Sequence, residues 1–157
     1  MNDNLMRKNL VELLKGGHAH VNFKDAVNGL KPNNRNIRPE GDLHSVWELL
    51  EHIRIAQEDI LRYTLDSKWK SPKWPDEYWP KKTEKVTDEM WNNSIKKFNS
   101  DLNELIELAQ NTKIDITSEI PHGEGRTYLR ELTLAANHNS YHIGQIIVVR
   151  KLLGDWK

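Results

Sequence analysis

Apolar positions recur at helical rather than strand spacing, in four long stretches bounded by proline- and glycine-rich sequence. The first, about residues 3–29, holds Leu5, Leu10, Val11, Leu13 and Leu14, then Gly16-Gly17, then Val21, Phe23, Ala26 and Val27. Two adjacent glycines cost about 2 kcal/mol in a helix interior. This stretch is therefore expected as one helix or as two pieces bent at the glycines. The second opens at Ser45-Val46-Trp47-Glu48, where Ser45 fits an N-cap and Glu48 reaches back to close a capping box. Val46, Leu49, Leu50, Ile53, Ala56, Gln57, Ile60 and Leu61 then share one face.

The third stretch repeats Trp91, Ile95, Phe98, Leu102, Leu105 and Ala109 behind a Thr87 cap, a pattern that predicts about six helical turns, roughly 35 Å long. The fourth runs from Thr127 to about Leu153 through Leu129, Leu132, Ala135, Ala136, Ile143, Ile146, Ile147, Val149 and Leu152. Arg150 and Lys151 suit the dipole of its last turn, and Gly154 its stop. Lys113-Ile114-Asp115-Ile116-Thr117 alternates, but a lone short strand has no partner. Residues 1–157 are expected as a single all-α domain, a four-helix bundle.

Two segments do not fit a simple bundle. Residues 66–86 carry Trp69, Trp74 and Trp79 among Pro72, Pro75 and Pro80, a long connection expected to pack over the bundle end as a lid. The sharper account is that one of these tryptophans lines a ligand pocket. Ile143-Gly144-Gln145-Ile146-Ile147-Val148-Val149 is apolar on nearly every side, so a second chain or the tryptophan loop must cover it. A homodimer is the expectation.

Charge narrows the partners. Twenty-three basic residues balance 23 acidic ones, leaving no electrostatic footprint for nucleic acid or an anionic membrane. Met1-Asn2-Asp3-Asn4 does not open a basic-then-apolar leader, which predicts a cytoplasmic protein. The absence of cysteine excludes disulfides, thiolate-bound zinc and a thiol nucleophile. Any metal must be held by His, Asp or Glu.

The seven histidines are the residues through which it could be held. His138 and His142 are spaced i, i+4, so one helical face presents both imidazoles to one ion. Asn139 stands where a zinc protease of the H-E-x-x-H type has its glutamate, which argues against that mechanism. His52 is the remaining histidine in the middle of a bundle helix, beside Leu49, Ile53 and Ala56. Buried without a partner it would cost a few kcal/mol. Either it bonds a polar neighbour in the core, or it joins His138 and His142 around one divalent ion with open positions for water or substrate. His18 and His20 point about 200° apart on a helix; His44 and His122 are expected to be solvated.

The run Asn137-His138-Asn139-Ser140-Tyr141-His142-Ile143-Gly144-Gln145-Ile146, with Arg150-Lys151-Leu152-Leu153-Gly154, resembles the last helix of the DinB-like (damage-inducible, YfiT-like) family. Trp47-Glu48-Leu49-Leu50-Glu51-His52-Ile53-Arg54 is similar to that family's second-helix histidine motif, and the Gly16-Gly17-His18-Ala19-His20 and Arg38-Pro39 regions are also similar. The resemblance implies an up-down-down-up bundle, often dimeric, with a three-histidine divalent metal site matched by His52, His138 and His142. It also implies metal-dependent hydrolases and thiol-dependent transferases acting on small molecules, including low-molecular-weight thiols.

Zinc and nickel are the metals expected first for imidazole ligands. Glu48, Glu51, Tyr141 and Gln145 lie within about a turn of the ligands in sequence, and none is singled out as a general base. The competing reading is a non-catalytic bundle whose ion fastens two helices together.

Overall fold

The computed structural model describes residues 3–156. Five helices account for the regular structure: α1 (Asp3–Lys15), α2 (Phe23–Val27), α3 (Val46–Leu65), α4 (Asp88–Gln110) and α5 (Tyr128–Leu152), with single 3₁₀ turns at Pro32–Asn34 and Asp76–Tyr78. Among the described residues there is no strand, only an isolated bridge between Glu119 and Thr127, and Lys113–Thr117 lies in turns.

Local chemistry explains where the helices begin and end. Gly16 and Gly17 take φ of 64° and 89°, left-handed values that end α1 and split the first stretch into two pieces. At α3 the Ser45 side chain accepts from the Glu48 backbone while the Glu48 carboxylate accepts from the Ser45 N–H, completing the capping box. Thr87 caps α4 through the Met90 N–H, and Thr127 caps α5 through the Arg130 N–H. At the other end of α4, buried Arg7 of α1 donates to the carbonyls of Ala109, Asn111 and Ile114. A cation there satisfies helix-end carbonyls and opposes the negative end of the dipole.

The four long helices pack with α1 and α3 each against both α4 and α5. Two groups of buried side chains fill the interior. One includes Leu49, Leu50, Ile53, Phe98 and Ile146, the other Leu14, Leu61, Leu105, Ile116 and Leu132. The whole expected face of α3 is inside.

Polar contacts fix the register. Trp47 at the start of α3 donates its N–H to Arg35, whose guanidinium reaches Asp88 at the start of α4. Further along, Gln57 donates to the Phe98 carbonyl and Arg62 to Glu104. Helices α3 and α4 therefore run in the same direction. Helix α5 opposes them: Asn139 meets Gln57, while the later His142 lies against the earlier His52.

A parallel α3–α4 pair requires a long return connection, and residues 66–86 supply it. Trp69 Nε1 and the Tyr78 hydroxyl both donate to Asp59 in the middle of α3. The loop thus runs back along α3 instead of closing the bundle end as a lid. Trp74 is left 72% exposed, with the ring of Tyr78 edge-on to it. Nor does this loop cover the whole apolar run of α5. Ile143, Ile146 and Val149 turn inward, but Val148 stays 53% exposed. No described helix is long and apolar enough to cross a membrane.

Candidate metal centre

Helix α3 carries His52 on its buried face, and the opposing α5 carries His138 and His142 one turn apart on the face toward α3. Their rings lie 5.0 Å (His52–His138), 4.6 Å (His52–His142) and 4.5 Å (His138–His142) apart between centroids. One ring nitrogen from each falls within 4.8 Å of the other two. His52 and His142 are buried and His138 is half-buried.

Hydrogen bonds orient two of the three rings. The Nδ1–H of His52 donates to the Tyr78 carbonyl at 2.8 Å. That of His142 donates to Gln145 Oε1 at 2.6 Å, across one turn of α5. Both acceptors fix the Nδ1–H tautomer, so each Nε2 keeps its lone pair, as a metal ligand requires. The buried Nδ1 of His138 has no hydrogen-bond partner. Orphaned polar atoms of this kind are uncommon in protein interiors, and a metal ion is one of the partners that would satisfy this ring.

Electrostatics keep the trio neutral. Burial pushes His138 down to about 4, assisted by the nearby His142 and His52. Burial likewise holds His142 at about 4, with the Gln145 bond opposing, and lowers His52 against its bond to Tyr78. A set of unprotonated imidazoles at neutral pH is a donor set ready for a cation. The residues present fit a divalent metal.

The surroundings are richer than the sequence suggested. Trp79 stacks on His52 at 4.1 Å between ring centroids, so one tryptophan of the long loop does border the centre. His44, expected to be solvated, is half-buried and stacks on Trp79 at 3.9 Å. His122, also expected in solvent, bonds the Tyr63 carbonyl through Nε2 at 2.7 Å and fastens its loop to α3. Tyr141 sits edge-on to His142 but is 64% exposed. Glu48 is engaged by Arg38 and the capping box, and Glu51 by Arg54. His20 is exposed and its ring reaches the Ser140 hydroxyl, outside the ligand trio.

The Tyr78 carbonyl and His44 were missed, and Trp79 was not told apart from Trp69 and Trp74, because they come from irregular segments, where no periodicity assigns a facing. Gln145 had a readable signal, being three residues beyond His142 on the same helix.

The family model described as the DinB superfamily matches residues 18–146, a span that contains all three histidines. No curated protein and no solved structure matches the chain significantly.

Proposed function

Because the chain belongs to the DinB superfamily, we propose that it is a metal-dependent enzyme, a hydrolase or a thiol S-transferase acting on a small molecule. His52, His138 and His142 would hold the divalent ion, with zinc or nickel the metals to test first. The carrying observation is the hydrogen bonding of the rings: two are held with Nε2 free by Tyr78 and Gln145, and the third has a buried orphan nitrogen. An ion held by three histidines would have coordination positions left for substrate and would supply Lewis-acid activation of a water or thiol there.

The chain's own groups do the rest. Tyr78 and Gln145 hold the ring planes, Trp79 shields His52 from solvent, and His44 borders the centre as a further imidazole. The register of α3, α4 and α5 supports the up-down-down-up order for the bundle.

The test combines elemental analysis with an activity panel. Protein from cells grown with zinc and nickel should carry one ion per chain, and each single alanine variant of the three histidines should carry far less. A panel of low-molecular-weight thiols with alkylating electrophiles, and of simple esters and amides, should show turnover that a chelator abolishes. Stoichiometric metal without turnover across the panel would favour a purely structural ion.

A further inference from the structure

We propose that Gly144 keeps open an apolar substrate subsite beside the three-histidine group, so that the substrate carries a ring or branched hydrocarbon group next to its reacting atom. This rests on the enzymatic reading above. Gly144 lies inside α5, where glycine is unfavourable by about 1 kcal/mol relative to alanine. Nothing in the fold calls for it. Its backbone is in the ordinary helical region, and a Cβ built there would meet no heavy atom within 4 Å. Close packing against the rest of its own chain is therefore not the reason for this glycine.

The space it faces is a cleft of about 410 Å³, within the usual size of small-molecule sites, ~300–1,000 Å³. Leu43, Leu49, Val148 and Val149 give it apolar walls, while His44 and Gln145, with Asp42 and Tyr141, bring polar groups to it. Two of these connect to the metal centre: Gln145 holds the ring of His142, and His44 stacks on the Trp79 that covers His52. Leu43 and Val148 are 38% and 53% exposed around the opening. Apolar side chains left in water around a concave surface mark a place where something binds. Concavity, and polar groups that connect to the centre, favour a small ligand over a flat protein partner. Apolar walls select a hydrocarbon group, and a side chain at residue 144 would occupy its place.

The experiment compares the parent with Gly144→Ala and Gly144→Leu, using benzyl mercaptan and 2-mercaptoethanol as probes. Binding is read by ligand-observed NMR on zinc-loaded and metal-free protein, alongside zinc content, thermal melting and light scattering. Both variants should melt no lower than the parent, since the position is helical and open. Ring binding should weaken tenfold or more in Gly144→Leu and less in Gly144→Ala. Binding of 2-mercaptoethanol, which has no ring, should be unchanged, as should zinc content. If the parent takes up neither zinc nor nickel, the metal reading fails. Sensitivity of benzyl binding to residue 144 in the metal-free protein would still support the cleft. Equal benzyl binding by Gly144→Leu overturns the proposal, as does a parent that never binds the ring. A parent dimer that Gly144→Leu converts to monomer also overturns it, because a second copy would then fill the cleft.

Discussion

Acidification should destabilise the metal-free protein by an amount traceable to two histidines. His138 and His142 fall from an ordinary 6.5 to about 4 in the folded chain, chiefly through burial. Their folded values lie below the unfolded ones. Between pH 6.5 and about 4 the unfolded chain therefore binds protons that the folded chain does not, and stability drops as pH drops through that window. From pH 7 to pH 5 each independent histidine of this kind would remove about 1.9 kcal/mol. The two rings stand 4.5 Å apart and His138 is only half-buried. Their joint contribution is accordingly smaller than twice that, on the order of 2–3 kcal/mol. With a urea m-value of about 2 kcal/mol per molar, the unfolding midpoint should fall by roughly 1–1.5 M. The assay is urea denaturation in chelator at pH 7 and pH 5, for the parent and for His138→Gln combined with His142→Gln. Carboxylates contribute equally to both proteins and cancel in the comparison. The double variant should show much the flatter response. Equal midpoint shifts would refute the claim that these rings are held neutral by the fold.

Other perturbations follow from the same contacts. Gln145→Leu removes the acceptor of the His142 Nδ1–H and should weaken metal binding ~10–100-fold in a chelator competition while the helical circular dichroism is retained. Saturating metal at a hundredfold over its dissociation constant should add about 2.7 kcal/mol, so chelation should lower the melting temperature of the parent but not of His142→Ala. His122→Ala loses its bond to Tyr63 yet should keep the full response to chelator. Ser45→Ala breaks the capping box of α3 and should cost ~1 kcal/mol, or about 2–4 °C in melting temperature, with metal content unchanged.

What could be read from the sequence, and what could not, divides along regular structure. Helical spacing assigns a facing to every residue it governs, so the buried side of α3 and the pairing of His138 with His142 were legible before any coordinates. Caps are local hydrogen-bond arrangements, and Ser45 and Thr87 were legible for that reason, while Thr127 was read only as the start of its stretch. Contacts made by the connection after α3 have no such code. Trp69, Trp74 and Trp79 are alike in residue type, yet one bonds Asp59, one stands in solvent and one covers His52. Their fates depend on the path the chain takes in returning from the end of α3 to the start of α4. That path follows from α3 and α4 being parallel, a property of the assembled bundle rather than of any short window. The same return brings the Tyr78 carbonyl to His52 and Trp79 to His44. Helices thus supply the three rings, while the loop helps to fix one ring's tautomer and its screening from water. Substituting Trp79, or removing the Tyr78 hydroxyl whose bond to Asp59 helps to hold that carbonyl in place, should consequently alter metal affinity without touching a ligand.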